Sequence, residues 1–291
     1  MKASAFFAVF LMAFLVGVVH AAADKNDTVV WHISDFPPAY ILSGPNRGQG
    51  MGDRRIQIFS KRLPEFHHET ILATQARFFE MIKTEPNLCN AGLLKTSERE
   101  AVLEFSAIPY GVSLPNGLIT TRARMAMFKS FINKDGVLRL DDLLAHSKTR
   151  IGIIAERSFG KGIDAALKKY PAHRVVVPSS DHLSARLLKL ANQDEFDAVV
   201  GYPTELRYLT RELGLNEKDF VFLSVVEESA LGKAYIVCSK SPFGKRVMMG
   251  INRLLAEESV QNEIAAAYRA WLDDETAARF DRLRKQSPID K

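Results

Sequence analysis

The segment at residues 89–110 constrains the fold of this chain more than any other part of the sequence. Residues 91–94 form a short apolar run whose length suits a buried strand, and a polar turn that ends in Arg99 follows it. Pro109 keeps the residue before it extended and cannot itself donate a backbone hydrogen bond. In an open α/β sheet, Arg99 would lie just past the carboxyl end of a strand, where such sheets bind ligands. The alternative is a surface arginine that pairs with a neighbouring glutamate.

The order of the predicted elements indicates a mainly parallel sheet with helices on its faces. β-rich runs alternate with helical periodicity in the first part of the chain, which gives a β-α-β-α-β succession. A second β-α series begins after residue 110, and a long helical region closes the chain. Strands are predicted at residues 28–33, 69–73, 88–95, 118–122, 150–155, 174–177, 197–201, 220–226 and 234–239.

The second series contains two predicted helices. One runs from about residue 159 to residue 169, with Ser158 as its N-cap, and would point free N–H groups at the space above the sheet. The other holds Leu183, Leu187 and Leu190. The tail past Trp271 is charged, which predicts a solvated helix or a frayed end.

Residues 1–23 have the features of a secretory signal peptide. Lys2 supplies a positive start, residues 5–19 are apolar and uncharged, and small-residue cleavage sites follow. No cysteine lies at the end of this segment to carry a lipid, so the sequence predicts a free, soluble protein in a periplasm. The alternative is an N-terminal membrane anchor.

Charge and cysteine content narrow the possible partners. The formal net charge is +5 at pH 7, but basic and acidic residues are interspersed. Without a basic stripe or an aromatic-interleaved basic patch, the sequence argues against nucleic-acid binding. In an oxidising compartment, Cys89 and Cys238 form either one disulfide or two buried thiols.

No local motif supports catalysis or a metal site. The adjacent His67 and His68 lie on a polar segment, and the sequence contains no H-x-x-x-H, H-E-x-x-H or C-x-x-C pattern. A G-x-S-x-G elbow and a P-loop are also absent. The glycines at 48, 50 and 52 fit a turn better than a dinucleotide-binding loop, because no strand immediately precedes them. We therefore expect neither a metal nor a cofactor.

Taken together, these residues resemble the type II periplasmic solute-binding proteins of the polar-amino-acid class (extracellular solute-binding family 3). The resemblance extends over residues 29–271. Its most specific part is Thr96-Ser97-Glu98-Arg99 followed by Phe105-Ser106-x-x-Pro109-Tyr110, which is similar to the family's T-x-x-R…F-S-x-P-Y signature. Supporting features are the Phe36-Pro37-Pro38 loop, the glycine turn at 50–53, the strand-to-helix turn at 150–158, the run at 196–199, and Ile264, Tyr268 and Trp271.

The resemblance implies an α/β chain with the two-lobed type II periplasmic binding protein fold, in which helices flank mainly parallel sheets. Lobe 1 would combine residues 24–110 with residues 234–291, and lobe 2 would span residues 116–226. The chain would therefore cross a hinge between the lobes twice. Both cysteines would lie in lobe 1, which agrees with a Cys89–Cys238 disulfide.

The resemblance also implies roles for individual residues. Arg99 matches the arginine that holds a ligand carboxylate, and Phe36 and Phe79 match aromatic positions that cover the ligand. Ser158 matches a hydroxyl residue that adds donors beside a helix N-terminus. Each has a structural alternative: the phenylalanines as core residues and Ser158 as a simple helix cap.

The sequence departs from the family where amino-acid binders hold the ligand's ammonium group. Tyr202 stands at a position that Asp usually occupies, although the proline after it makes a structural turn an equal explanation. Gly92 and Leu94 replace small hydroxyl residues, while Asp35 or Glu156 can still supply a negative partner. These departures favour a small organic acid or another anionic solute over an ordinary α-amino acid.

The implied function is binding without catalysis. A monomer would close over a small anionic or zwitterionic solute that carries a carboxylate, either an amino acid or an organic acid. The closed form would be recognised by an ABC permease or a membrane sensor. The alternative is an exported enzyme of the same fold, similar to dehydratases, that acts on a small carboxylate. A further alternative is a sensor domain that binds protein instead of a small ligand.

Overall fold

The computed structural model describes residues 27–154, 157–177 and 195–286. The predicted signal peptide at residues 1–23 lies outside this part of the chain, as do Glu156, the helix holding Leu183, Leu187 and Leu190, and residues 287–291. Within the described residues, no helix is both long enough and apolar enough to span a membrane.

The described strands follow the predicted runs, with ends that shift by up to three residues. Two short strands, β4 and β5, flank the segment around Pro109. The strands are β1 (Thr28–Ile33), β2 (His67–Leu72), β3 (Leu88–Leu93), β4 (Leu103–Phe105), β5 (Gly111–Ser113), β6 (Gly117–Thr121), β7 (Ile151–Ile154), β8 (Arg174–Val177), β9 (Ala198–Gly201), β10 (Phe220–Leu223) and β11 (Gly232–Ser239).

Three described helices were not predicted from the sequence: Ser97–Val102, Leu140–His146 and Pro203–Glu212. The first of them is the polar turn at Arg99. The long C-terminal helical region divides into three helices. The helices are α1 (Met51–Arg62), α2 (Gln75–Met81), α3 (Ser97–Val102), α4 (Leu140–His146), α5 (Lys161–Lys169), α6 (Pro203–Glu212), α7 (Pro242–Leu255), α8 (Glu258–Arg269) and α9 (Asp274–Gln286).

The first sheet mixes strands from both ends of the chain. Its strands pair in the order β2-β1-β3-β11-β4, and β5 also pairs with β11. β1 runs parallel to β2 and β3, whereas β11 is antiparallel to β3, β4 and β5. Trp31 and Phe59 are fully buried in its core. Because β1, β2 and β3 are parallel, their carboxyl ends lie at one edge of this sheet, and the loops that follow them meet there.

The second sheet is built from the middle of the chain. Its strands pair in the order β10-β6-β9-β7-β8, with β7 parallel to β8 and β9, and β6 antiparallel to β9 and β10. The chain passes from the first sheet to the second after β5 and returns after β10. The two sheets use the parts of the chain that the resemblance assigned to the two lobes. The lobe boundaries at residues 24–110, 116–226 and 234–291 remain a prediction.

Cys89 and Cys238 form a disulfide with an S–S distance of 2.05 Å. The two residues are register partners on β3 and β11, and both are fully buried. Of the two alternatives left open by the sequence, the disulfide is therefore confirmed. It ties the N-terminal and C-terminal contributions to the first sheet together.

The charged tail past Trp271 is a helix with one buried face, not a solvated or frayed segment. Phe280 of α9 is 1% exposed, and its ring centroid lies 4.9 Å from that of Tyr268. Both residues pack with Leu114, which belongs to the first crossing between the sheets. A helix was predicted correctly, but a fully solvated one was wrong, because the charges of α9 occupy its outer face while a few apolar residues suffice to bury the inner one.

Candidate ligand-binding cleft

Four predicted site residues lie in the loops and helices that follow β1, β2 and β3. Asp35 and Phe36 follow β1, Phe79 lies on α2 after β2, and Arg99 lies on α3 after β3. A cavity of about 710 Å³ opens at this edge, between the loop after β1 and the start of α2. It is lined by Ser34, Asp35, Phe36, Leu72, Ala73, Thr74 and Gln75.

Arg99 is positioned by the first turn of α3 and by the aromatic ring beneath it. Its backbone N–H donates to the capping Thr96 Oγ1 at 3.3 Å, and its guanidinium Nη1 donates to Leu94 O at 2.8 Å. The guanidinium carbon lies 5.2 Å from the centroid of the Phe79 ring. Partial burial lowers the pKa of Arg99, and the charge of Glu98 opposes that effect. An arginine remains charged at neutral pH in either case.

The described residues do not show the surface ion pair that was the alternative for Arg99. Among them, Glu100 pairs with Lys95 at 2.8 Å, and no carboxylate lies within ion-pair distance of Arg99. The guanidinium therefore has one backbone acceptor and an aromatic ring, and it retains donors that suit an anionic ligand.

Phe36 and Asp35 face the second sheet rather than the core. Phe36 is 40% exposed, and its ring centroid lies 5.7 Å from the guanidinium carbon of Arg157. The pKa of the Tyr208 phenol on α6 is raised by burial first, then by Glu212 and by Asp35, so the Asp35 charge acts across to that helix. These two residues, which also line the 710 Å³ cavity, thus lie at the side of the first sheet that faces the second.

Arg157 entered the sequence analysis only as part of the strand-to-helix turn at 150–158 and was not singled out. Its guanidinium makes a two-point ion pair with Glu205, at 3.0 Å and 3.1 Å. The same group lies 5.5 Å from the Phe159 ring and 5.8 Å from the Tyr202 ring, in addition to its contact with Phe36. The Arg157 guanidinium is thus held by the buried Glu205 carboxylate and by the rings of Phe159 and Tyr202. It is also the group on the second sheet's side that contacts Phe36.

Tyr202 lies between β9 and α6, and its ring contacts Arg157 near the gap between the two sheets. It is the N-cap of α6, where its backbone N–H donates to the Glu205 carboxylate at 2.8 Å. Burial raises the pKa of its phenol, and the hydrogen bond to the Asn116 side chain opposes that rise. The turn explanation is therefore correct for its backbone, and a ligand contact for its ring remains a prediction.

Ser158 does not cap a helix as the sequence suggested. Its hydroxyl donates to Asp164 Oδ2 at 2.5 Å, and the neighbouring Phe159 N–H donates to the other oxygen of the same carboxylate at 3.0 Å. Helix α5 begins at Lys161, and its N-cap is Gly160, with a φ of 120° that a side chain would disfavour. The predicted ligand contact of Ser158 remains a prediction.

Comparisons with known proteins were made for the whole chain. No protein-family model and no curated protein matches the sequence. Among solved structures, the probable amino-acid ABC transporter extracellular-binding protein ytmK from Bacillus subtilis is 15% identical, with a TM-score of 0.64 over 85% of this chain and 98% of that one. The periplasmic VFT2 domain of BvgS from Bordetella pertussis is 18% identical, with a TM-score of 0.57 over 84% of this chain and 94% of that one.

A third match is the open form of substrate binding domain 2 of GlnP from Lactococcus lactis, at 15% identity and a TM-score of 0.58 over 86% of this chain and 97% of that one. This chain has the two-lobed periplasmic binding protein fold. The predicted fold class, with two sheets of α/β structure flanked by helices, is confirmed, and so is the resemblance at the level of fold.

In this binding-protein fold, the segment that returns from the second lobe to the first is held by two carboxylates. Glu228 Oε1 accepts the N–H groups of Gly162 and Ile163, in the first turn of α5, at 2.8 Å and 2.9 Å. Glu227 Oε1 accepts the N–H of Asp141, in the first turn of α4, at 2.8 Å. The α5 donors that the sequence predicted to be free for a ligand are thus occupied by the chain itself.

The close approach of this segment requires glycine at position 162. A Cβ at Gly162 would lie only 1.9 Å from the Glu227 carbonyl oxygen. The Glu228 carboxylate is also favourable where it lies, since negative charge at a helix N-terminus is stabilised by the helix dipole. The returning segment is therefore fixed to the second lobe, and motion between the lobes is expected on its first-lobe side, before β11.

We expect Glu228→Ala to lower the free energy of unfolding by about 1–2 kcal/mol, the range for loss of a helix N-cap. The reason is that two N–H groups at the start of α5 lose their carboxylate acceptor. Urea unfolding followed by circular dichroism measures the change. Glu263→Ala is the control, because Glu263 makes an exposed ion pair with Arg62, and a loss of about 0.5 kcal/mol or less is expected. Equal losses in the two variants would contradict the role given to Glu228.

The structure thus joins the predicted site residues in two groups. In one group, Phe36 and Tyr202 both contact the guanidinium of Arg157. In the other, the ring of Phe79 contacts the guanidinium of Arg99. Within the described part of the chain, no contact joins Arg99 to Ser158. Because Arg157 and Glu205 are 48 residues apart, no sequence spacing could have predicted their pairing.

Proposed function

We propose that this protein is an exported solute-binding protein that captures a small carboxylate-bearing solute, an amino acid or an organic acid, between its two lobes. The observation that carries the proposal is Arg99. It is a partly buried guanidinium without a carboxylate partner among the described residues, and it lies at the carboxyl edge of the first sheet. Two-lobed folds of this kind close around ligands by hinge motion.

The chemistry of the cleft suits a carboxylate on the first lobe. A guanidinium offers a planar pair of N–H donors to a carboxylate, and the Arg99 group lies over the ring of Phe79. Asp35, which lines the cavity at the same edge of the first sheet, adds a negative charge that would accept the ammonium group of a zwitterion. The contact between Phe36 and Arg157 already joins the two sides of the cleft, and a ligand that favours their approach would shift the population toward the closed form.

The partners and location follow from the same proposal. We infer that residues 1–23 direct export to the periplasm and are removed. The closed monomer would then be recognised by an ABC permease or by a membrane sensor. The structural relatives named above include a probable ABC transporter binding protein and a domain of BvgS, which supports this choice of partners.

A binding role without catalysis fits the acidic residues of the cleft. Within the described residues, burial raises the pKa of one carboxyl group, that of Asp53. Its carboxylate accepts the backbone N–H groups of Ile41 and Gly50, at 3.1 Å and 2.9 Å, so it holds a loop against α1. A general acid or base beside Arg99, which the enzyme alternative requires, has no support from these contacts.

A thermal-shift screen of the mature protein against amino acids and small organic acids tests the proposal. A ligand present at a hundred times its Kd stabilises the folded state by about 2.7 kcal/mol. For a chain of this size, that raises Tm by roughly 5–10 °C. The primary amide of each active acid is the control, and it should leave Tm unchanged because it lacks the carboxylate. If no acid raises Tm, or if the amides act equally, the proposal fails.

A further inference from the structure

A second arginine lies at the same edge of the first sheet, and the sequence analysis did not single it out. Arg55 of α1 is only 5% exposed. Its Nε donates to Ala91 O, near the carboxyl end of β3, at 2.7 Å. Its guanidinium carbon lies 4.2 Å from the centroid of the Tyr110 ring. The group is therefore fixed in position by a backbone acceptor and an aromatic face.

Arg55 makes no ion pair with a carboxylate of the described residues, although its charge and that of Asp53 interact. No ion pair of Arg55 within 4 Å is present among them, and the Asp53 carboxylate two residues away is directed to the Ile41 and Gly50 N–H groups. Burial raises the pKa of the neighbouring Tyr40 to about 12, so that phenol is neutral. A cation this deeply buried normally has an anionic partner.

Arg55 and Tyr110 can approach the end of β3 closely because residue 92 is glycine. A Cβ at Gly92 would lie 3.0 Å from Arg55 Nη2 and 3.3 Å from the Tyr110 hydroxyl. The Gly92 N–H donates to Asn90 Oδ1 at 2.8 Å, which holds this part of β3 in place. A residue with a side chain here would cover the terminal amino group of Arg55 and the phenol together.

Tyr110 also connects this position to the gap between the lobes. It directly precedes β5, where the chain leaves the first sheet, and it lies near enough to Tyr202 for the two phenols to interact electrostatically. Arg55 and Arg99 each donate a hydrogen bond to a backbone carbonyl group near the end of β3. Arg55 donates to Ala91 O, and Arg99 donates to Leu94 O. Three residues of extended chain separate these carbonyl groups by about 10 Å.

We propose that Arg55 is a second anion-binding residue at the floor of the cleft, and that the solute is a small dicarboxylate. One carboxylate binds Arg99, and the other binds the terminal amino groups of Arg55 together with the Tyr110 hydroxyl. The proposal rests on the binding function proposed above and specifies the class of solute. It gives the buried Arg55 the anionic partner that the described residues lack.

Isothermal titration calorimetry tests this with matched acids of three to five carbons: malonate, succinate and glutarate against propionate, butyrate and valerate. We expect at least one dicarboxylate to bind the wild-type protein at least tenfold more tightly than the monocarboxylate of equal length. Arg55→Met should remove that preference and leave the monocarboxylate affinity unchanged. Arg54→Met is the matched control, because Arg54 is the exposed neighbour on α1 and bonds only Gln57 among the described residues. It should behave as wild type.

Gly92→Ala provides a second variant that keeps Arg55 in place. Its methyl group would lie against Nη2, so it should reduce the dicarboxylate preference even if Arg55→Met fails to fold. Equal binding of the two acid series by the wild-type protein overturns the inference, as does an unchanged preference in a folded Arg55→Met protein. If monocarboxylates bind and Arg99→Met removes that binding, the proposed function stands while this inference falls. If no carboxylate of either series binds, the dicarboxylate inference falls, and the broader screen decides the proposed function.

Discussion

Arg99→Met is expected to weaken binding of the solute by about 100-fold or more. Two charge-assisted hydrogen bonds to a carboxylate are lost, each worth about 1.5–3 kcal/mol, and every 1.4 kcal/mol is about tenfold in Kd. The fold should tolerate the change, because Arg99 is partly exposed and has no ion-pair partner among the described residues. Calorimetric titration with the acid that gives the largest thermal shift measures the loss.

Two further variants separate charge from geometry at this position. Arg99→Lys keeps the positive charge but loses the planar pair of donors, so an affinity between those of wild type and Arg99→Met is expected. Arg77→Met is the control, since Arg77 is an exposed arginine on the neighbouring helix α2. Binding by Arg99→Met within a factor of two of wild type would show that this guanidinium does not hold the ligand.

Removing the disulfide is expected to lower the free energy of unfolding by about 3–5 kcal/mol. Cys89 and Cys238 are separated by 149 residues, so the bridge removes the entropy of a very long loop from the unfolded chain. The Cys89→Ala/Cys238→Ala protein should therefore unfold at a lower urea concentration. The two alanines leave little empty space, because each cysteine loses a single sulfur atom.

Unfolding in the presence of a reductant separates the effect of losing the disulfide from any effect of the two alanine substitutions. Dithiothreitol should shift the unfolding curve of the wild-type protein toward that of the double variant and leave the variant's own curve unchanged. A loss smaller than about 1 kcal/mol in the double variant would mean that the loop constraint contributes little to the folded state.

Much of the fold could be predicted because its signals are local. The β-rich run at β1 and the apolar run at β3 mark buried parallel strands, and they are correctly placed to within two residues. The T-x-x-R segment also predicted that Arg99 would lie at the carboxyl end of β3, since strand, turn and arginine are consecutive in sequence. The presence of two cysteines did not show whether they form a disulfide or remain free thiols. The pairing of β11 with β3, which brings Cys238 beside Cys89, settles this.

The features that the sequence missed depend on residues far apart in the chain. Ser158 was expected to cap a helix, but Glu228, more than sixty residues away, accepts the N–H groups of that helix instead. Arg54 and Arg55 are consecutive arginines on α1, yet one is exposed and the other buried, because only Arg55 faces β3 and Tyr110. Helical periodicity gives no such distinction when the covering residues lie elsewhere in sequence.

The most direct test of the central claim is a crystal structure of the mature protein with the most stabilising acid bound. Our account predicts a carboxylate between the two lobes, with its oxygens at about 2.7–3.0 Å from the guanidinium nitrogens of Arg99. A ligand bound elsewhere, or an Arg99 side chain that still bonds only Leu94 O while the acid occupies the cleft, would contradict it.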